Sequence, residues 1–288
     1  MCGIFGFAGT VSDEAREPFE TLMTSLAIRT KVRGPHATGI AAYRGKRRSI
    51  VAKGPVASDD FVKCPAWADG LKAKSLIGHC RYATHGNPRD NRNNHPFEGG
   101  KYALVHNGVI LGHRGIAARA GVELSTDCDS EVILRLIQQG EGSEVERIQR
   151  FVDNVTRESA DYAVALMDRE DGSIRLFRDD ARPCVIAKFP TLGIVAFAST
   201  EDIMRGAMED VIRAHDGFPL LDGARGWSCE RDKVYVLRPD SIEVEHEKLE
   251  IPVAASYGEV FKRLTGCPRC FEDVCICNEI AESVKDHN

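Results

Sequence analysis

No apolar run in this 288-residue chain approaches the ~20 residues that a bilayer-spanning helix needs. The N-terminus lacks a basic region followed by an apolar stretch and a small-residue cleavage site, so no signal peptide is read there. A basic excess is missing too. The 38 Lys and Arg face 43 Asp and Glu, a formal net charge of −5, which argues against a nucleic-acid partner. The local cluster Arg44-Gly45-Lys46-Arg47-Arg48 reads as a solvated hairpin tip. No internal repeat, low-complexity tract or linker precedes Pro252. A disulfide framework is unsupported although there are 10 cysteines, because six are scattered singly through the first 230 residues. A chain this long does not need covalent staples, so free thiols in a reducing cytoplasm are expected. With 43% hydrophobic residues the chain can bury one large core or two smaller ones.

What is present begins with Met1-Cys2-Gly3-Ile4-Phe5-Gly6-Phe7-Ala8-Gly9-Thr10. If an aminopeptidase removes Met1, Cys2 carries both a thiol nucleophile and a free α-amine. An amine with pKa about 7.7–8.0 beside a thiol of about 8.5 is a workable proton acceptor near neutrality. The following apolar run reads as a buried strand whose glycines permit close approach of substrate or backbone. The competing reading makes Cys2 a small core residue at the start of an edge strand.

Along the chain, Pro18 suits the first position of a helix to about Thr30, with Phe19, Leu22, Met23 and Leu26 on one face. Strands are expected at Ile40–Tyr43, Ser49–Lys53, Ser75–Thr84 and Tyr102–Ile110, with a polar, structureless loop over His85–Gly100. Helices follow at Arg114–Ala120, Asp129–Gln139 and Glu144–Arg157. Four strands come next, Tyr162–Met167, Ile174–Arg178, Val185–Phe189 and Gly193–Ala198. A helix over Glu201–Ala214 and strands at Lys233–Leu237 and Ile242–His246 complete the pattern. Many strands are continuous apolar runs, which implies burial on both faces: sheets packed on each other with helices outside.

Four segments carry chemistry. Gly78-His79-Cys80-Arg81-Tyr82-Ala83-Thr84-His85-Gly86 puts a guanidinium at a strand end, where its fork suits a carboxylate; a structural Arg–Asp pair is the alternative. His106-Asn107-Gly108 reads either as a two-residue hairpin turn or as oxyanion donors, the Asn107 amide and the Gly108 N–H. Ser125-Thr126-Asp127-Cys128-Asp129-Ser130-Glu131 caps a helix, and a carboxylate there could also hold an ammonium group. Asn93-Asn94-His95-Pro96-Phe97 lies in the long loop.

Together and in this order, these segments resemble the class II glutamine amidotransferase family of N-terminal-nucleophile hydrolases. The glutaminase domain of the glucosamine-6-phosphate synthase type is the closest match. The resemblance rests on Met1-Cys2-Gly3-Ile4, Arg33-Gly34-Pro35 with Gly39, Gly78-His79, Arg81, Ala83-Thr84-His85-Gly86, Asn93, His95-Pro96, His106-Asn107-Gly108 and Asp129, Glu131-Val132-Ile133. It covers roughly residues 2–250 and implies an α+β, four-layer αββα sandwich. By the resemblance Cys2 attacks the side-chain amide of glutamine, and Asn107 and Gly108 stabilise the oxyanion. Arg81 holds the α-carboxylate, with Tyr82, Thr84 and His85 at the pocket; Asp129 holds the α-amine; Arg33, His95 and His106 stand behind. No cofactor is required. Departures are Cys80 and Tyr82, where close relatives usually have Thr and Trp, and His36-Ala37-Thr38 in place of an acidic-serine pattern.

The domain is expected over 2–252, with 253–288 a cysteine-rich tail. Its Cys267, Cys270, Cys275 and Cys277 could hold a structural zinc or remain thiols or a disulfide. Ammonia is expected to pass to a synthase subunit on a separate chain. The alternatives are an amidase of the same fold acting on another γ-glutamyl or peptide amide, and a catalytically idle binding module.

Overall fold

The computed structural model describes residues 1–45, 49–155, 160–215 and 222–251. In chain order the elements begin with β1 (Gly3–Gly9), α1 (Arg16–Thr30), β2 (Ala37–Tyr43), β3 (Ser49–Gly54), α2 (Ser58–Phe61), α3 (Pro65–Leu71) and β4 (Ser75–Arg81). The middle of the chain forms β5 (Phe97–Gly99), β6 (Tyr102–Ile110), α4 (His113–Ala120), α5 (Ser130–Gln139) and α6 (Glu144–Val155). Then come β7 (Ala160–Asp168), β8 (Ile174–Arg178), β9 (Val185–Phe189), β10 (Ile194–Ala198), α7 (Glu201–Ala214), β11 (Arg225–Ser228), β12 (Lys233–Arg238) and β13 (Ser241–Lys248).

Two antiparallel sheets result, ordered β11-β9-β10-β1-β4-β2-β3 and β13-β12-β8-β7-β6-β5. Their side chains sort by the two-residue period of a strand. In β1, Phe5 and Phe7 face outward into a core shared with Phe19, Leu22, Met23 and Leu26 of α1. Ile4 and Ala8 face inward, into a core between the sheets with Val105, Ala163 and Phe197. On the far side Tyr102 and Leu104 of β6 pack with Ile133 and Ile137 of α5 and with Phe151 of α6. Three parallel cores therefore separate four layers, αββα, as the doubly apolar strands imply.

Energetics follow from that burial. Phe19 is fully buried and meets Phe7 edge-on with centroids 4.8 Å apart, so truncating it to alanine is expected to cost about 3–5 kcal/mol. α1 and α7 are joined by the paired hydrogen bonds of Arg29 to Asp210, both 2.8 Å.

Several expectations are corrected. α2 and α3 were not anticipated, because one is a single turn and the other too short for a periodic signal; Pro65 supplies the first position of α3. β4 ends at Arg81, where the backbone turns away toward His36. The loop over 85–100 is not structureless: it contains a 3₁₀ turn at Asn91–Asn93 and β5. Within it Asn93, Asn94 and His95 are buried.

Candidate active site

Antiparallel pairing of Gly3 with Cys80 sets the beginning of β1 against the end of β4, where Arg81 and Tyr82 follow. The Tyr82 N–H donates to Cys2 Sγ at 3.3 Å, and the thiol faces the Tyr82 carbonyl at 3.4 Å. Arg33 Nε donates to the Cys2 carbonyl at 2.7 Å. Gly3 is required for this crossing, since a Cβ there would lie 2.4 Å from Thr30 Cγ2 and 3.1 Å from Arg33 Cδ. His36, noted in the sequence only as a departure, accepts the Ala83 N–H on Nδ1 at 3.1 Å and places its ring against Tyr82.

Asn107 and Gly108 do not form a hairpin turn. Both lie inside β6, paired with Ala163 and Tyr162 of β7. Asn107 is fully buried, and neither Oδ1 nor Nδ2 has a hydrogen-bond partner among the described residues. Gly108 has φ +159°, and a Cβ there would lie 2.0 Å from the Asp161 carbonyl oxygen. The strand is fixed from both sides. His79 Nε2 donates to the His106 carbonyl at 3.0 Å across the sheet interface. The His106 ring meets Ser130 Oγ at 2.8 Å, anchoring the start of α5. His95 stacks on His79 at 3.9 Å. Burial drives His79 down to about 3 and lowers His95 and His106 as well, so all three are neutral near pH 7.

Asp129 is buried, but its carboxylate does not cap α5. Oδ2 accepts the Ile110 N–H at 2.7 Å, bringing the acid beside the end of β6. Local anchoring before the helix falls to Glu131, which accepts the N–H groups of Ser125 and Thr126 at 2.9 and 2.8 Å. Arg81 is buried, and among the described residues no acid is in hydrogen-bond contact with it. It donates to Asn94 Oδ1 at 2.7 Å and to the His85 and Gly86 carbonyls. Asn94 in turn donates to Pro88 O and Asn91 Oδ1. The loop was singled out in the sequence, but Asn94's hold on Arg81 was not. Its signal was the asparagine run Asn91, Asn93, Asn94, whose amides suit backbone anchoring. Tyr82 is 46% exposed, Thr84 is exposed, and the His85 ring meets His113 edge-on.

Burial raises the Cys2 thiol above its ordinary value; the Tyr82 N–H works against this, and the Asp129 charge adds to it. The amine of Met1 moves the opposite way, lowered first by burial and then by Arg33 and Arg182, with Cys2 opposing. Cys80 and Cys128 are buried thiols pushed to about 12, outside any nucleophilic range at neutral pH. Among the described residues no cluster of three or more His, Cys, Asp or Glu could hold a metal. Cys267, Cys270, Cys275 and Cys277 lie outside the described residues.

A cysteine directly before the first strand of an αββα sandwich is the arrangement of the N-terminal-nucleophile class. Residues 79–205 match the family model described as a glutamine amidotransferase domain. A glutamine–fructose-6-phosphate aminotransferase from Bacillus subtilis is 30% identical over 68% of this chain and 32% of its own length. The Staphylococcus aureus protein of that name is 32% identical over 90% of this chain and 41% of its own. The chain thus spans about a third of the length of the curated relatives it matches. Among solved structures, a glutamine phosphoribosylpyrophosphate amidotransferase from B. subtilis superposes with TM-score 0.64 at 22% identity, over 88% of this chain and 50% of that one, which bears on the fold alone. The chain belongs to the class II glutamine amidotransferases, enzymes of the N-terminal-nucleophile fold.

Proposed function

We propose that this protein hydrolyses the side-chain amide of glutamine through Cys2, once Met1 is removed, and passes the ammonia to an acceptor enzyme on a separate chain. The observation that carries the reading is the buried Asn107 amide beside Gly108 in β6, without a partner among the described residues. An unsatisfied buried polar group costs about 1–3 kcal/mol, so it calls for a compensating role. A developing oxyanion supplies the missing acceptor for Nδ2.

In the reaction the α-amine of Cys2 takes the thiol proton and Sγ attacks the amide carbon of glutamine. The tetrahedral oxyanion rests on Asn107 Nδ2 and the Gly108 N–H. The C–N bond breaks as the amine returns its proton to the leaving nitrogen, giving ammonia and a γ-glutamyl thioester. Water then attacks the thioester and releases glutamate and the thiol. This sequence calls on no metal or cofactor. Arg81 exchanges its loop acceptors for the substrate α-carboxylate, and Asp129 holds the α-ammonium. Tyr82, Thr84 and His85, which follow Arg81 in the chain, would shape the glutamine site, with Arg33, His95 and His106 behind it.

The two opposite charges favour a free amino acid over a peptide amide, since a peptide substrate lacks one of the charges that Arg81 and Asp129 grip. Ammonia released into water is protonated and loses its nucleophilicity, which is why the proposal includes a sheltered acceptor. The assignment extends the domain over 2–252, with the cysteine tail at 253–288 for partner docking or a structural zinc, in a cytoplasmic setting. Kinetic comparison of glutamine, γ-glutamyl amides and glutaminyl peptides tests the substrate. Peptides cleaved as well as glutamine contradict it.

A further inference from the structure

Successive residues of an antiparallel strand turn their N–H and C=O groups to opposite edges. β6 pairs with β7 in one unbroken register from Tyr102 to Ile110, so Asn107 and Val109 face β7, and His106, Gly108 and Ile110 face the other edge. β5 pairs with Tyr102, Ala103 and Leu104 and reaches no further. Beyond it the edge is served by side chains. The His106 carbonyl accepts from His79 Nε2 at 3.0 Å, and the Ile110 N–H donates to Asp129 Oδ2 at 2.7 Å. The Gly108 N–H lies between these two anchors, with no strand alongside it among the described residues.

Residue 108 has to be glycine, because a Cβ there would lie 2.0 Å from the Asp161 carbonyl oxygen and 2.6 Å from His106 Nε2. Glycine is also the residue least able to hold its own backbone direction. Asp161, opposite on β7, supplies the hold from both sides. Its Oδ1 accepts the Val109 N–H at 2.7 Å, fixing the peptide group after Gly108. Its main-chain carbonyl meets His106 Nε2 at 3.4 Å, on the residue before Asn107. The carboxylate is itself fixed, since Oδ2 accepts Arg182 Nη2 at 2.6 Å. Arg182 sits in a turn where Asp179 Oδ1 accepts the N–H groups of Ala181 and Arg182 at 3.1 and 3.0 Å. A strand ladder closes with main-chain groups alone. A carboxylate placed on the N–H next to Gly108 is an added restraint at that one point.

We propose that Asp161 is a positioning residue for glutamine hydrolysis, its carboxylate holding the Val109 N–H so that the Gly108 N–H points at the developing oxyanion. This rests on the reading that Asn107 and Gly108 are the oxyanion donors. Asp161 touches neither substrate nor nucleophile in this scheme. Its loss therefore lowers the rate of the step that builds the oxyanion and leaves glutamine binding and thiol reactivity in place.

The test uses the full chain with Asp161→Ala, Asp161→Leu and Asp161→Asn. Leucine keeps the volume without an acceptor, and asparagine keeps an acceptor for Val109. Steady-state glutamate release gives kcat and KM. Alkylation of Cys2 by iodoacetamide, a displacement at saturated carbon that develops no oxyanion, reads the thiol by itself. Outright loss of an oxyanion donor costs about 10²–10³-fold and a misplacement of about 1 Å about 10²-fold. Asp161→Ala and Asp161→Leu are accordingly expected to lower kcat about 10–100-fold, with KM and the alkylation rate within about threefold of wild type. Asp161→Asn is expected to recover kcat to within about fivefold. If the alanine variant does not fold, the leucine and asparagine pair decides. A kcat unchanged within about threefold in Asp161→Leu overturns the proposal. So does a kcat in Asp161→Asn as low as in Asp161→Leu, or a loss shared equally by KM and alkylation, which marks Asp161 as a structural support. Wild-type protein whose Cys2 is alkylated but which releases no glutamate contradicts the glutaminase reading, and this proposal falls with it.

Discussion

Replacing Asn107 with alanine separates stability from activity in a way that a structural asparagine does not. The wild-type side chain is fully buried with both polar atoms unpaired. Removing them relieves a desolvation penalty of about 1–3 kcal/mol. The void left by three heavy atoms works the other way, at about 1 kcal/mol. The net is a variant between neutral and about 2 kcal/mol more stable, read as a Tm unchanged or raised by up to about 8 °C. Activity moves oppositely. Loss of one oxyanion donor lowers kcat about 10²–10³-fold, roughly 3 kcal/mol of transition-state stabilisation, with little change in KM. The assay pairs thermal unfolding with steady-state glutamate release. A variant that loses more than about 2 kcal/mol of stability while keeping most of its kcat would refute the reasoning and make Asn107 a packing residue.

Other outcomes follow from single contacts. Arg81→Lys replaces a fork that reaches three loop acceptors with a point charge; KM for glutamine rises with a smaller effect on kcat, and unchanged affinity removes Arg81 from the substrate site. Asp179 is raised to about 6, chiefly by burial and further by Asp161. Its native form therefore holds a proton that the unfolded chain has lost between about 3.8 and 6, so its contribution to stability falls as pH rises through that window. Asp179→Asn should stabilise the protein above pH 6 relative to wild type, and the difference should shrink below it; a pH-independent difference in chemical denaturation counts against this. Deleting 253–288 is expected to leave basal glutamine hydrolysis intact and to weaken stimulation by an acceptor enzyme. Metal analysis of the intact protein against Cys267→Ser, Cys270→Ser tests the zinc.

The sandwich was legible because period-2 apolar strands and amphipathic helices encode layers directly: Phe5 and Phe7 to one core, Ile4 and Ala8 to the other. The residues proposed to react stand out in the sequence by type and order. Their directions were not. Asn107-Gly108 carries a strong local turn signal, yet pairing with Tyr162 and Ala163 keeps it in a strand, a tertiary choice no local window contains. Asp129 reads as a helix cap, but its carboxylate turns to Ile110 because Glu131 serves the preceding loop. Arg182 pairs with Asp161 of β7, a contact between separate elements that no local window contains. The Asp-Asp-Ala-Arg-Pro turn around it was the available signal.

The central claim is that Cys2, freed at the N-terminus, is the nucleophile. Its most direct test is an acid-quenched reaction with glutamine, analysed by intact mass and by mass of the N-terminal peptide, alongside glutamate release by wild type and Cys2→Ala. The account predicts a chain without Met1 that carries one γ-glutamyl group on Cys2 during turnover, and no adduct or hydrolysis in Cys2→Ala. Full activity in protein that retains Met1, or glutamine hydrolysis surviving in Cys2→Ala, would contradict it.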